Sequence, residues 1–477
     1  MFSTRFNQRG TLAVVCLATA MLMLDIAVVN TALSHIAEDL NAQLSGLQWV
    51  VDAYTLALAT VVLTAGSVAD RLGRRRIFAW GMGIFTVSSL ACAMAGSIEL
   101  LDAARAVQGI GAAMMFASSL AVLADAFPVA SERAKAFAAY GATIGAAFAI
   151  GPLVGGALTS YVDWRAVFYI NIPLGILALF FTYRWVRESF DPRPRKVDWA
   201  GQATLIGAMF LLVLALLRAN EDGWGSTAIV AELVGAAVLF GAFAWVERRA
   251  EEPMLPLQLF RKPDFAGAQI AAFAISASFF AIFLYTTLYL QEILHLSPIE
   301  TGLVYLPGTV VIFLVSGVSA SLARKVPPSV MIVTGLMLVA VGMALMLLAG
   351  ENSNWTAFMP GLLVGCLGTG LFNPSVVAVA LGSVPETQSG LAAGTNDAFR
   401  QGGIAVGVAV FGAMISAASA LGQGSAADYV SGVHNAAIVG AALAAFGAVA
   451  CSRLFRVGIA SSGRRLARAA VAVATDD

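Results

Sequence analysis

Asp25 stands in the middle of an apolar run, Thr11 to Leu33, about 20 Å from the start of the helix such a run would form. A carboxylate at that depth in hydrocarbon is expensive and marks a functional group, in the first place a proton carrier. Arg105 is its natural counterpart. It lies about 9 Å along a run entered from the opposite side, at nearly the depth of Asp25, so the two can meet. A cation beside a carboxylate favours the ionised form, and pulling the two apart favours proton uptake, which would tie protonation to conformation. The other reading is a purely structural ion pair. Asp52 follows Gln48-Trp49 about 6 Å from the outer boundary of its run. Two readings stand for it: contact with protons or substrate, or simple access to interfacial water with Trp49 and Tyr54 in an aromatic belt. Glu99 and Asp102, nearer the edge, are expected to be solvated.

Side chains of this kind need helices to hold them. The 477 residues are 59% hydrophobic and 12% charged, with a mean hydropathy of +0.83. A soluble core cannot hide that much apolar surface, and the chain belongs in a bilayer. Zero net charge and a pI near 6.8 give no basic excess for nucleic acid. Apolar runs of membrane-spanning length recur at 11–34, 48–69, 76–97, 99–123, 135–159, 165–184, 199–218, 226–246, 265–290, 301–323, 329–349, 355–382, 388–417 and 435–457, predicting an all-α, polytopic membrane protein of fourteen helices. With an even number, both termini share a side. Of 28 Lys and Arg, 24 fall in the N-terminus, in alternate connections and after 452, while only Arg165 and Arg218 fall opposite. The termini are therefore expected in the cytoplasm. Arg5 and Arg9 precede a run too long for a signal-peptide core and without a small-residue cleavage site, so it reads as an uncleaved first helix.

The longest hydrophilic linkers, 187–198 and 247–264, flank an extra helix pair. The predicted organisation is a six-helix bundle over 1–186, linkers with two inserted helices over 187–264, a second six-helix bundle over 265–460 and a cytoplasmic tail over 461–477. Transporters are often built from two such halves with the site between them. Cys16, Cys92, Cys366 and Cys451 lie inside apolar segments with no Cys-x-x-Cys pair, which argues against disulfides and structural zinc. His35, His295 and His434 are expected in outer loops, leaving no metal or catalytic histidine site.

Four further segments carry information. In Gly66-Ser67-Val68-Ala69-Asp70-Arg71-Leu72-Gly73-Arg74-Arg75-Arg76, the end glycines suit close helix approach and a tight turn, and Asp70 can pair with Arg71 or Arg74. Membrane topology alone explains Arg74 to Arg76 but not Asp70 or the glycine spacing. A faint echo runs from Gly317 to Lys325, with Ser321 where Asp70 would stand. The fifth run holds Gly141, Gly145, Gly151-Pro152 and Gly155-Gly156: glycines four apart let helices approach, and proline adds a bend. In Asn396-Asp397-Ala398-Phe399-Arg400-Gln401, Asp397 and Arg400 share a helix face and can neutralise each other. Phe273, Phe279, Phe280, Phe283, Tyr285 and Tyr289 crowd one helix, as ring faces for flat cations or as packing and lipid-facing bulk. Glu232 is expected to snorkel at the outer end of the inserted pair, a cation-binding role being the other reading.

In chain order, Leu24-Asp25-Ile26-Ala27-Val28-Val29-Asn30-Thr31-Ala32-Leu33, the Gly66–Arg76 loop, Arg105 with Gln108-Gly109-Ile110-Gly111, the Gly151-Pro152 run with Asp163-Trp164-Arg165 through Asn171-Ile172-Pro173, and Asn396 with Arg400-Gln401 resemble the signatures of the fourteen-helix drug:proton antiporters of the major facilitator superfamily. The resemblance implies export of amphipathic or cationic drug-like compounds by alternating access. It implies proton coupling through Asp25, Asp52 and Arg105; a conformational loop of Gly66, Asp70, Arg71, Gly73 and Arg74; and an antiport motif of Gly145, Gly151, Pro152, Gly155 and Gly156. Asn30, Tyr54, Gln108, Asn396, Arg400 and Gln401 are the cavity candidates. It further implies a multi-pass protein of the inner (plasma) membrane, monomeric, whose partners are a small-molecule substrate, protons and lipid. The chain has no Gly-x-x-x-x-Gly-Lys-[Ser/Thr] loop, so no cofactor or enzymatic activity is expected and the proton gradient is the energy source. One departure is Ser34-His35, where relatives usually carry a proline after the Ala-Leu pair. A dedicated exporter of one endogenous metabolite or antibiotic would share these motifs. A non-transporting receptor or lipid-handling protein would not need two buried acids and a buried arginine.

Overall fold

In hydrocarbon every backbone N–H and C=O must find its partner within the segment, so apolar runs of this length fold as helices. The computed structural model describes residues 2–191, 196–323, 325–385, 388–422 and 424–475, and their side chains except at 2–7, 130, 134, 220–221, 320 and 456–475. Arg5, Arg193, Arg195, Arg324 and the four arginines beyond 455, all used above to orient the chain, lie outside the described side chains.

The first bundle comprises α1 (Phe2–Leu40), α2 (Leu44–Leu72), α3 (Arg74–Ala93), α4 (Ile98–Ala126), α5 (Ala130–Tyr161) and α6 (Ala166–Trp185). The inserted pair is α7 (Trp199–Asp222) and α8 (Thr227–Arg249). The second bundle comprises α9 (Pro263–Ile293), α10 (Pro298–Leu322), α11 (Pro328–Leu345), α12 (Met359–Gly382), α13 (Ser389–Gly412) and α14 (Ala426–Thr475). Thirteen helices are long and apolar enough to cross a membrane among the described residues. The fourteenth, α13, has the length at 24 residues, but Asn396, Asp397, Arg400 and Gln401 dilute its apolar character. Such residues face protein rather than lipid, and α13 packs on α2, α7 and α9.

Several boundaries differ from the apolar runs for local reasons. Without a proline after Leu33, Ser34 and His35 continue α1 to Leu40, so His35 is helical and not in a loop. His434 lies within α14, its Nε2 2.7 Å from the Ala349 carbonyl, and His295 alone sits in a connection, with φ of 53°. Pro173 cannot donate to the Tyr169 carbonyl, and α6 is interrupted at Ile170. Wide π-helical turns at Ser276–Phe280 and Tyr289–Ile293 break α9. The aromatic crowd on α9 is core and not lipid-facing: Phe279, Phe283, Tyr285 and Tyr289 are buried. Glu232 does not snorkel alone; Arg218 Nη1 lies 2.7 Å from its Oε1.

Glycine crossings build both halves alike. A Cβ on Gly81 of α3 would fall 2.8 Å from the Gly111 carbonyl of α4, and one on Gly335 of α11 would fall 2.7 Å from the Gly368 carbonyl of α12. The halves then meet along two long seams, α2 with α13 and α5 with α10.

Candidate functional site

The interruption of α6 sets Asn171 at the start of its second segment, facing the middle of α1. There Asp25 is fully buried and receives three donors: Arg105 Nη1 at 2.6 Å on Oδ2, and Gln108 Nε2 and Asn171 Nδ2, each at 2.8 Å, on Oδ1. Arg105 and Gln108 are three apart on α4 and so share a face. Their own links close the network: Arg105 Nη1 donates to Gln108 Oε1 at 2.7 Å, Arg105 Nε to the Val50 carbonyl at 2.9 Å, and Gln108 Nε2 to Ser89 Oγ at 2.8 Å. The guanidinium also lies 4.3 Å over the Tyr54 ring. Removing two charges from water costs several kcal/mol per ion, and close pairing with full hydrogen bonding is what offsets it.

Arg105 also reaches a central cavity between the halves, with about 50 Å³ open to the centre of a water-sized sphere. Its walls are mostly aliphatic and aromatic, Phe148, Phe280, Phe283 and Tyr305 among them, with Asn30, Thr31, Tyr54, Thr55 and Thr287 supplying polarity. Of the expected cavity residues, Asn30 and Tyr54 line it, whereas Gln108 belongs to the Asp25 network. Asn396, Arg400 and Gln401 are not on its wall: Asn396 Nδ2 bonds Gln269 Oε1 at 3.2 Å, Gln401 is buried, and Arg400 stands 5.8 Å from the ring of Phe280. Among the described residues Asp397 and Arg400 form no ion pair within 4 Å, but the two opposite charges still act on each other across the longer distance, beside the ring contact of Arg400.

Of the two readings of Asp52, access to interfacial water is the one that fails. Asp52 is fully buried, with no hydrogen-bond partner on either oxygen among the described residues, and does not reach interfacial water. The reason is cover from the second bundle. Gln48, one turn earlier, donates to Tyr285 Oη at 2.7 Å, and Tyr285 donates on to the Val408 carbonyl, laying α9 and α13 over this face of α2. Trp49 likewise packs on Phe210 of the inserted pair, 5.8 Å between centroids, instead of joining an interfacial belt. Asp102 is half-buried with Oδ1 unpartnered among the described residues, not freely solvated; Glu99 is exposed.

At the end of the molecule bearing the termini, Arg74 Nη2 pairs with Asp70 Oδ1 at 3.0 Å, while Arg71 is exposed. The loop is clasped by the segment after α6: Arg74 N donates to the Ser189 carbonyl at 2.9 Å, Asp191 N to the Asp70 carbonyl at 3.0 Å, and Arg75 N to Glu188 Oε1 at 3.0 Å. Gly73 needs its glycine twice, because φ is +113° and a Cβ would sit 2.6 Å from the Glu188 carboxylate. Gly73→Val is expected to cost about 1–3 kcal/mol from backbone strain alone, lowering the midpoint of thermal unfolding in detergent. Gly66 is different, since the nearest atom to its Cβ position is 4.0 Å away and no close approach depends on it. Ser321, the echo of Asp70, bonds its own helix at Val318.

The α5 motif divides by position. Gly151 and Gly155 seat on α1, with Val28 Cα 2.7 Å from the Cβ position of Gly155; Gly156 seats on Pro298 and Ile299 of α10, and Gly302 of α10 lies 2.5 Å by the same measure from the Pro152 carbonyl. Gly145 makes only ordinary contact with Phe313, at 3.8 Å, and Gly141 has nothing within 4 Å, so the first two glycines do not mediate close packing. Asn171 and Ser89 were not singled out from sequence as members of the Asp25 network; the Asn171-Ile172-Pro173 triplet, a polar residue just before a helix interruption, was the available signal. Among the described residues no group of three or more His, Cys, Asp or Glu is arranged to hold a metal.

Comparison with known proteins agrees with this architecture. The Major Facilitator Superfamily model matches residues 15–408. The chain is 37% identical to the multidrug resistance protein Stp of Mycobacterium tuberculosis over 86% of its own length and 76% of that protein. It is 30% identical to the methylenomycin A resistance protein of Streptomyces coelicolor over 88% of each. Its fold is similar to the human organic anion transporter MFSD10, with a TM-score of 0.64 at 14% identity, covering 93% of this chain and 99% of the other. With a family match spanning most of its helices and a relative alike over most of its length, this chain belongs to the Major Facilitator Superfamily.

Proposed function

We infer that this protein is a proton-coupled exporter of amphipathic or cationic small molecules, working by alternating access of its two six-helix bundles. One observation carries the reading: a membrane-buried carboxylate, Asp25, is held by an arginine that also walls a central, largely apolar cavity. Protonation of Asp25 removes the charge that holds Arg105, and cargo in the cavity meets that same guanidinium. Competition between proton and cargo therefore runs through Arg105 and not through direct contact with Asp25. Asp52 serves as a second proton-accepting site beneath the contact between the halves. The Asp70–Arg74 loop, clasped by 188–191, sets the position of the ends of α2 and α3 as the bundles rock. The protein is a monomer in the plasma membrane with both termini in the cytoplasm, as the distribution of Lys and Arg supports.

The name of the Stp relative supports a drug-like cargo, and that of the methylenomycin A resistance protein supports a second reading, export of a single antibiotic or metabolite. The test is efflux of fluorescent lipophilic cations, several unrelated ones, from energised cells. The expected result is active efflux that collapses on adding a protonophore. Efflux of just one compound favours the narrow reading, and efflux that survives loss of the proton gradient overturns proton coupling.

A further inference from the structure

The linker from α8 into the second bundle is anchored in both halves. Met254 and Leu255 are buried in the apolar core of the first bundle, where Thr64 Oγ1 of α2 lies 3.2 Å from Met254 Sδ. Further on, Leu259 and Phe260 pack into the second. Phe260 meets Phe265 of α9 at 5.4 Å and Phe399 of α13 at 5.7 Å, and Lys262 Nζ donates to the Ser383 carbonyl at 3.0 Å. The linker thus ties one bundle to the other at the end bearing the termini. Between the anchors, Leu257–Arg261 is wound as a 3₁₀ turn, which advances about 2.0 Å per residue against about 3.3 Å for extended chain, so the tie holds slack.

A carboxyl group holds the first anchor. Leu255 N donates to Glu247 Oε2 of α8 at 2.9 Å. Glu247 is only 4% exposed, yet its other oxygen, Oε1, has no partner among the described residues. A second carboxyl beside it is in the same condition. Asp198, the N-cap of α7, accepts from Gly201 N at 2.7 Å through Oδ1, while its buried Oδ2 has no partner among the described residues. A Cβ on Gly201 would lie 2.7 Å from Asp198 Oδ2 and 2.9 Å from Glu247 Oε1, so the two free oxygens face one another across Gly201, no further apart than those distances together. The cations nearby are spent elsewhere. Lys196 pairs with Glu251 at 3.1 Å and gives its backbone N–H to Glu252, Arg249 lies 4.5 Å over the Trp245 ring, and Arg248 is exposed. From α7, Gln202 turns to α2, donating to the Thr60 carbonyl at 3.2 Å and accepting from Thr64. Among the described residues, Asp198 is the charged group that acts on Glu247.

Two carboxyls this close, out of water and without a cation, resist ionising together, and one keeps a proton for the other to accept. We propose that Asp198 and Glu247 share a proton which clamps Leu255, and that losing it to an alkaline aqueous phase on the terminus-bearing side frees the linker and lets the bundles part further there. The proton-bound form is the clamped one, so the hold is present at low pH and lost as pH rises. With both groups ionised, repulsion drives Glu247 toward water and breaks its bond to the Leu255 amide. The 3₁₀ turn can then unwind and lengthen the tie. This clamp involves neither cargo nor a proton gradient and stands apart from the export reading.

The test is amide hydrogen exchange of the full chain in nanodiscs at about pH 6 and about pH 8, a range in which a buried carboxyl can give up its proton, with the intrinsic chemical acceleration divided out. The expected result is that protection of 253–257 falls several-fold from the lower to the higher pH in the wild type. In Glu247→Gln the amide keeps an oxygen for Leu255 N and offers Asp198 a permanent N–H, so protection is expected to hold at both. Lys196→Ala, which breaks the exposed pair with Glu251, is expected to keep the wild-type pH dependence. Equal protection at both pH values in the wild type, or the same fall in Glu247→Gln, overturns the clamp. A second measurement is the distance between spin labels at Leu72 and Gly390, exposed positions at the ends of α2 and α13. It is expected to broaden at the higher pH in the wild type, to stay narrow in Glu247→Gln, and to broaden at both pH values in Phe260→Ala, which frees the far anchor. Distances that respond neither to pH nor to Phe260→Ala overturn the tether.

Discussion

Asp25→Asn is expected to insert and fold but to lose uphill export of a lipophilic cation by on the order of a hundredfold, the scale of losing an obligatory proton-transfer group. The substitution keeps the size of the side chain and an oxygen for one of the three donors that converge there, while removing the charge and the site of protonation. Gradient-free exchange of cargo should survive better than uphill export, because rocking of the halves does not itself require a proton to be carried. The measurement is efflux from energised cells beside exchange in proteoliposomes, with surface amount checked for both proteins. Export at the wild-type rate would remove Asp25 as the carrier and make Asp52 the lead.

Arg105→Leu is expected to be the most destabilising single change near the cavity, by about 3–5 kcal/mol, because it leaves a carboxylate in the membrane interior without its cation. The two remaining donors, Gln108 and Asn171, are neutral amides and do not replace the charge. The double variant Asp25→Asn with Arg105→Leu should recover most of that loss, since neither charge is left alone, and still fail to export. Thermal unfolding of the three variants in detergent checks the stability argument. A single-variant loss below about 1 kcal/mol, the scale of an exposed pair, would show that the two residues are not a buried ion pair in the folded protein.

The helices were legible because backbone satisfaction in lipid leaves one answer for each long apolar run. Asp25 and Arg105 could be matched because depth along a helix is a one-dimensional quantity: rise per residue brings both to one level from opposite sides. What could not be read depends on rotation about the helix axis and on neighbours remote in sequence. Asn171 joins the network only because α6 is interrupted beside α1. Shallow depth left access to interfacial water open for Asp52, yet Tyr285 and α13 cover it. Gly141 and Gly145 share the spacing of Gly151 and Gly155, but which glycines touch a neighbour is set by where two helices diverge, a property of the pair and not of either sequence. α13 falls short in apolar character for a related reason, since Asn396, Asp397 and Gln401 are buried against protein that the linear pattern does not reveal.

Among the members of the Asp25 network, Arg105 alone lines the cavity; Asp25, Gln108, Ser89 and Asn171 sit behind it. With Asp25 as the proposed proton carrier, the cavity wall and the energy-converting group are separate inventories of residues. Single changes at Phe148, Phe280 or Tyr305 can redraw the shape offered to a visitor without disturbing a bond to the carboxylate. Under that proposal a lineage built on this scaffold can diversify its cargo by drift in the wall while the proton carrier behind it stays fixed, which places new cargoes mutationally near and new energy sources mutationally remote.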